Sequence, residues 1–493
     1  MLRKIRTLLA ALMLTLITLL FLDFTGTLHA WLSWTTKIQA LEAVLALNVV
    51  VIVGLAVATL VFGRIYCSVI CPLGVMQDLL ARLRRKKNKY SYSPELRWLR
   101  YGVAVLFVLA CLTGIGSAIE LLAPYSAFGR MATMLLQPLW MTGNNLLAAL
   151  AERADSYAFY SVDVWLRSAP VLFVAVATLV VVAVLSWRGG RTYCNTICPV
   201  GTVLSLLARY SWLKVRFDAD KCKACSLCSK NCKASCIDYK THSVDYSRCV
   251  VCGNCIDKCK FGALRYAPAH KKTVATPADT AMPADGSRRS FLLATALTAT
   301  AAMAQKKEKF VDGGLAELAD KVAPHRQTAL TPPGALSAQH MASHCTGCQL
   351  CVSQCPNDVL RPSGELLNLM QPVMSYDRGY CRPECTRCSE VCPAGAIRPI
   401  DVSAKSSTQI GHAVWVEKNC VPLADGVECG NCARHCPTGA IEMVASDKDD
   451  EQSPMVPAIN EAACIGCGAC EYVCPARPFS AIIVEGHEVH RTI

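Results

Sequence analysis

Histidine is nearly missing from the first half of this 493-residue chain: His29 is the only one before His242. Two axial histidines for a haem therefore cannot come from the apolar segments that fill this half, and no C-x-x-C-H run offers covalent haem attachment. No Rossmann glycine fingerprint occurs, so the chain does not bind a dinucleotide by that motif. Acidic residues are also few, 37 against 50 Lys and Arg, leaving a formal charge of +13 that would ordinarily suggest a nucleic-acid partner.

Cysteine is abundant instead, at 30 residues. Cys345, Cys348, Cys351 and Cys355, followed by Pro356, keep the spacing C-x2-C-x2-C-x3-C-P. Three thiolates on a tight loop and a fourth just beyond are what a [4Fe-4S] cubane needs. Five more quartets repeat the plan: Cys222/Cys225/Cys228/Cys232, Cys249/Cys252/Cys255/Cys259, Cys381/Cys385/Cys388/Cys392, Cys420/Cys429/Cys432/Cys436 and Cys464/Cys467/Cys470/Cys474. Zinc ribbons pair two CxxC halves across a longer spacer, whereas each quartet here falls within 11 to 17 residues. Disulfide scaffolds belong to short secreted chains. The pattern predicts six [4Fe-4S] clusters. Each carries about −2 with its thiolates, which brings the formal charge to about +1 and removes the argument for nucleic acid.

Four apolar stretches, near 7–28, 42–64, 101–122 and 169–187, are long enough or nearly so to cross a ~30 Å bilayer core as helices. Arg3, Lys4 and Arg6 precede the first, but its apolar run is long and no A-x-A site closes it, so it reads as an anchor. The 82–100 loop holds Arg82, Arg84, Arg85, Lys86, Lys87, Lys89, Arg97 and Arg100, and the 123–168 loop only Arg130, Arg153 and Arg167. Positive-inside bias then puts the N-terminus, the basic loop and the segment after 188 in the cytoplasm.

This half is duplicated. GRIYCSVICPLGVMQDLLAR (63–82) and GRTYCNTICPVGTVLSLLAR (190–209) share twelve of twenty positions at an offset of 127. Two helix pairs of like orientation imply a pseudo-twofold along the membrane normal. Both C-x3-C-P motifs, Cys67/Cys71 and Cys194/Cys198, then lie at cytoplasmic helix ends. Four thiols on such an axis could bind a metal or cluster, or serve as redox-active or structural cysteines. Cys111, in an apolar run, reads as a small buried hydrophobe, and Cys236 has no repeat partner. Asp23 and His29 end the first helix on the outer side and Glu120 ends the third, either as proton-accepting groups of a quinol site or as solvated boundary residues.

The chain divides into a membrane domain (1–209), a cytoplasmic two-cluster module (210–267), a Pro/Ala-rich linker (268–286), an export segment (287–305) and a four-cluster domain (306–493). In two-cluster ferredoxins the fourth cysteine of each motif serves the other cluster, so Cys222, Cys225 and Cys228 join Cys259, and Cys249, Cys252 and Cys255 join Cys232. The export segment has twin-arginine form: Ser287-Arg288-Arg289-Ser290-Phe291-Leu292, a short apolar run, then Ala302-Met303-Ala304. It sends the last domain to the periplasmic side. The expected fold is an α-helical bundle of four transmembrane helices, with the export segment as a candidate fifth, carrying two α+β ferredoxin-like modules.

With these motifs in this order the chain resembles two ferredoxin-type subunits of the periplasmic nitrate reductase system, NapH over 1–267 and NapG, with the related MauM type, over 287–493. The resemblance includes the twin-arginine leader and a PPGAL stretch from Pro332 to Leu336. It departs from the pattern in that the two are fused. It implies quinol oxidation feeding a periplasmic acceptor, with the quinone pool and a periplasmic cytochrome or reductase as partners. Four-cluster relatives imply that motif one pairs with four and two with three. Cys345, Cys348 and Cys351 would then share a site with Cys474, and Cys464, Cys467 and Cys470 with Cys355. Cys381, Cys385 and Cys388 would join Cys436, and Cys420, Cys429 and Cys432 would join Cys392. Two alternatives compete: a maturation or redox-sensing protein for a metalloenzyme, and a path from a cytoplasmic donor into the quinone pool.

Overall fold

The computed structural model describes residues 2–83, 90–218, 220–268, 319–366, 368–447, 449–450 and 453–493. The linker, Arg288 and Arg289, and Ala304 lie outside the described residues. Among those described, two helices are long and apolar enough to cross a membrane, α1 (Leu2–Leu22) and, further along, Ala169–Gly189. The expectation of four such helices is corrected at two points. The 42–64 stretch is broken at Leu47, whose φ of 52° no helix accepts; a short helix, Ala40–Leu45, precedes it and α2 (Val49–Phe62) restarts behind the Asn48 cap. The 101–122 stretch is broken at Gly114, φ 71°, which ends α3 (Arg97–Thr113) before a second short helix at Gly116–Leu122. Hydropathy averages across such breaks, and the first helix is likewise displaced, starting at Leu2 rather than residue 7.

Apolar side chains cover the outside of these helices. Val49, Val50, Val53 and Val57 of α2, Val105, Leu106, Leu109 and Leu112 of α3, and Phe173, Val180, Val181 and Val184 of the Ala169–Gly189 helix are all exposed. A surface this large and this apolar is not stable against water.

The sequence duplication is a structural one. In the first repeat α2 ends at Gly63 (φ 74°), Ile65–Val69 forms a short helix bearing Cys67, and Cys71 caps Pro72–Arg82. In the second, Ala169–Gly189 ends at Gly190 (φ 71°), Thr192–Thr196 bears Cys194, and Cys198 caps Pro199–Ala208. Both capping cysteines are extended (φ −67°, ψ 115° and φ −66°, ψ 117°), because the following proline excludes helix at its predecessor and opens the next one.

Each motif-bearing module occupies one end of α1. The two-motif module is closed by antiparallel strands β1 (Leu213–Phe217) and β2 (Leu264–Pro268), and Arg3 pairs with its Asp257. The four-motif domain is built of short helices and two-stranded sheets, the longest joining β3 (Thr408–Trp415) to β4 (Ile482–Thr492). Its Gln354 donates to the Leu20 and Asp23 carbonyls at 2.8 and 2.6 Å. A helix of 21 residues is about 30 Å long, so the modules stand about a bilayer core apart.

Candidate iron–sulfur sites and the two ends of the bundle

Around each quartet the backbone turns tightly and aims amides at sulfur. Gly347 N donates to Cys345 Sγ (3.4 Å), Ile397 N to Cys392 Sγ (3.4 Å), Ala440 N to Cys436 Sγ (3.2 Å) and Ala481 N to Cys474 Sγ (3.2 Å). Such donors stabilise a thiolate and tune a cluster held by it. Burial pushes the Cys348 and Cys467 thiols up to about 12, so these two are protonated when no cluster holds them. Cluster binding must therefore expel protons, which couples assembly to folding. No three Cys, His, Asp or Glu side chains among the described residues are close enough to share one metal ion. A cubane instead spreads its four thiolates around a multi-atom core.

The grouping of thiols in the four-motif domain differs from the one the resemblance implied. Cys355 lines a common cavity with Cys381, Cys385 and Cys388, and Cys474 with Cys420, Cys429 and Cys432. Cys392 interacts electrostatically with Cys345, Cys348 and Cys351, and Cys436 with Cys464, Cys467 and Cys470. Motif one thus pairs with two and three with four, giving two consecutive ferredoxin units. Contiguous pairing needs only short loops, and motif spacing alone could not distinguish the schemes because both use the same sixteen cysteines.

The two-motif module follows its expected exchange where contacts resolve it: Cys232 lies with Cys249, Cys252 and Cys255, and Cys228 with Cys222 and Cys225. Cys259 packs on the same small core. Cys236 is buried with its Sγ 3.5 Å from that of Cys232, a fifth thiol at this site that the spacing did not reveal. Cys111 is half-buried against the main core rather than enclosed.

The three quinol-site candidates separate. Asp23 serves the backbone, its carboxylate accepting from Thr25 N (3.1 Å), Gly26 N (2.8 Å) and Leu28 N (2.8 Å). That is a turn cap, and it leaves little of the carboxylate for chemistry. His29 is buried with Nδ1 unpartnered; burial and then Arg387 lower its pKa. Glu120 is fully buried against Gly347 of the four-motif domain, facing Gln371, and neither of its oxygens makes a regular hydrogen bond. Glu42 has the same character: fully buried, facing Thr346, both oxygens unpaired. Arg130 donates to the Glu120 carbonyl at 2.6 Å and leaves Nη2 unpartnered. Sequence reading missed Glu42 because it lies inside an apolar stretch; a lone carboxylate in such a run was the available signal.

Deeper in the bundle Cys67, Cys71, Cys194 and Cys198 are all buried and interact electrostatically. Asp78 lies beside them and receives Arg191 (2.7 Å), Arg6 (3.1 Å) and Lys233. Burial alone would raise its pKa, but Arg191 and Lys233 hold it far below the usual carboxylate range.

Thiol quartets with amides aimed at sulfur, on two-stranded modules, define a ferredoxin-type iron–sulfur protein of electron transfer. The 4Fe-4S binding domain family matches residues 44–90 and 169–219, the two C-x3-C-P repeats. The 4Fe-4S dicluster domain family matches 344–396, which spans the first paired unit, and 427–477, which covers the second except for Cys420; a second dicluster family matches 245–359. Ferredoxin-type protein NapG of Escherichia coli is 31% identical over 177 residues, 33% of this chain and 75% of that protein. The methylamine utilization ferredoxin-type protein MauM of Methylobacillus flagellatus is 30% identical over 165 residues, 33% of this chain and 70% of its own length. Ferredoxin-type protein NapH of Haemophilus influenzae is 28% identical over 186 residues, 37% of this chain and 53% of its length. The chain belongs to the family of ferredoxin-type 4Fe-4S proteins that includes NapG and MauM.

Proposed function

We propose that this is a membrane-bound protein that oxidises quinol and passes the electrons through the four-motif domain to a periplasmic acceptor, such as a respiratory reductase or its cytochrome. The 24 motif cysteines hold six [4Fe-4S] clusters, two in the cytoplasm and four outside. The exposed apolar helices support the membrane, the basic 82–100 loop supports the orientation, and the docking of the modules at opposite ends of α1 supports their separation.

One observation carries the quinol reading. A groove of about 520 Å3 opens where the bundle meets the four-motif domain, and its wall includes Ala43, Leu45 and Leu47, His340 and His344, and the cluster cysteine Cys392. The apolar residues stand beside α2, where a quinol would leave the lipid. His340 and His344 stack at 4.1 Å, and burial lowers the pKa of His340, leaving it neutral and able to accept a proton. Cys392 brings the cluster it shares with Cys345, Cys348 and Cys351 to the same wall. Two electrons leave one at a time by that route and two protons leave toward the periplasm. Mixing anaerobic protein with a reduced menaquinol analogue should produce reduced-cluster EPR signals, and His344→Ala should slow their appearance at least tenfold. Full-rate reduction in that variant would place oxidation elsewhere.

A further inference from the structure

The two C-x3-C-P motifs are more than a repeated ornament of the bundle. Arg64 and Arg191 occupy equivalent places in the two repeats, are both fully buried, and cross over to each other's motif. Arg64 Nη2 donates to the Cys194 carbonyl (3.1 Å) and lies 3.8 Å from Cys67 Sγ. Arg191 Nη1 donates to the Cys67 carbonyl (2.5 Å) and lies 3.8 Å from Cys194 Sγ. Gly74 and Gly201, also equivalent, complete the exchange: a Cβ at either would strike the carbonyl of Cys67 or Cys194 and the opposite arginine. Further donors reach sulfur, Gln77 Nε2 to Cys194 Sγ and Gly201 N to Cys198 Sγ, each at 3.3 Å.

Charge is the second observation. Among the described residues Arg64 makes no ion pair; its Nη1 donates to Asn195 Oδ1 (2.9 Å) and the Ser247 carbonyl (3.0 Å). Arg191 shares the single carboxylate of Asp78 with Arg6 and Lys233. Buried cations in such excess need an anion.

We infer that Cys67, Cys71, Cys194 and Cys198 together hold a seventh [4Fe-4S] cluster on the pseudo-twofold axis, with Arg64 and Arg191 as its buried counter-ions. Four thiolates on a cubane carry about −2, which the two guanidiniums balance. The site also has neighbours on both sides. Arg64 reaches Ser247, two residues before Cys249 of the two-motif module. Toward the other end, Tyr66 and Tyr193, each adjacent to a cysteine, donate to Gln39 Oε1 (3.0 Å) and the Leu122 carbonyl (3.2 Å), close in sequence to Glu42 and Glu120. A cubane held there would accept one electron from a reduced neighbouring cluster and pass it to an oxidised one, with no bond made or broken and no proton moved. It supplies an intermediate stop between modules set about 30 Å apart.

The test is iron per full-length chain after anaerobic purification. Wild type should carry about 28 iron atoms, and Cys67→Ser/Cys194→Ser about four fewer, with the EPR signals of the other six clusters retained. Unchanged iron in the double variant, zinc at the site, or a reducible disulfide among these four cysteines would overturn the assignment. Should the double variant fail to accumulate, Gln77→Leu decides. Leucine already occupies the equivalent position, Leu204, in the second repeat. Losing a donor to sulfur should lower the reduction potential of one centre while the iron count stays at the wild-type value; a redox titration identical to wild type would overturn the proposal. None of these readings depends on quinol oxidation.

Discussion

Gln354 and Asp23 join the four-motif domain to the bundle: the Gln354 amide donates to the Asp23 carbonyl at 2.6 Å and also to Leu20 at 2.8 Å. The last carbonyls of a helix have no partners of their own, and here a residue adjoining Cys355 supplies them. Gln354→Ala leaves both acceptors buried and unpaired, at a cost of about 1–3 kcal/mol to docking. Amide hydrogen exchange should then quicken at residues 20–28 and in the 345–355 loop while cluster content holds. Protection equal to wild type would show that docking rests on other contacts.

Asp78 is the hub of the other end, gathering Arg6, Arg191 and Lys233 in a buried site. Asp78→Asn strands those cations and should destabilise the bundle by about 3–5 kcal/mol. The pH dependence has a defined sign. A carboxylate held low by its partners contributes fully above its unfolded value, near 3.8, and loses that contribution only as pH falls through its much lower folded value. Wild type should therefore show no Asp78-dependent loss between pH 5 and 8, and thermal unfolding in detergent should place the variant well below it throughout that range.

Cluster pairing is tested by double substitution. Cys355 and Cys381 line one cavity, so Cys355→Ser and Cys381→Ser damage the same cluster, and the double variant should lose no more iron than the more damaging single one. Cys355→Ser with Cys464→Ser should lose two clusters' worth. The reverse outcome would restore the one-with-four arrangement.

The motifs, the repeat and the assignment of both modules were legible because cubane ligation constrains spacing along the chain itself. Partners that meet only in three dimensions were not. Which fourth cysteine enters which site depends on how loops return, and the contiguous choice shows only when Cys355 and Cys381 line one cavity. Helix breaks at Leu47 and Gly114 vanish in a hydropathy average, although Gly114 carried the usual mark of a helix end. Glu42 and Arg130 gain significance only from the domain packed over them, and Asp23, equally conspicuous in sequence, turns out to cap its own loop.

His490 gives the four-motif domain an acid-sensitive point away from any cluster ligand. Its Nε2 meets Thr331 Oγ1 at 2.9 Å, and burial pushes its pKa down to about 4 from 6.5. The unfolded chain therefore binds this proton more readily than the folded one. The stabilisation is complete above about pH 6.5 and is lost as pH falls toward 4, amounting to about 2 kcal/mol after solvent screening. His490→Gln, which can still bond Thr331, should flatten the dependence of the denaturation midpoint between pH 7 and 5. An unchanged slope would assign acid lability to the clusters alone.

The quinol site makes the sharpest distinction between the two ends of the bundle. Glu42 and Glu120 lie buried with unpaired oxygens next to the Cys345 loop; on the proposed quinol oxidation they would relay the protons released as the Cys392-bearing cluster takes electrons. Glu42→Gln and Glu120→Gln keep the shape and remove the base, and each should slow quinol oxidation by about 10²-fold, the scale of general-base removal, with iron content unchanged. His29→Ala should have a smaller effect, since His29 lies against Arg387 and Glu390. The competing location is a cavity of about 620 Å3 at the inner end, walled by Glu95, Leu185, Arg188 and Asn195. If both carboxylate variants oxidise quinol at the wild-type rate while Asn195→Leu does not, oxidation occurs at that inner end, beside the C-x3-C-P motifs, and protons leave into the cytoplasm.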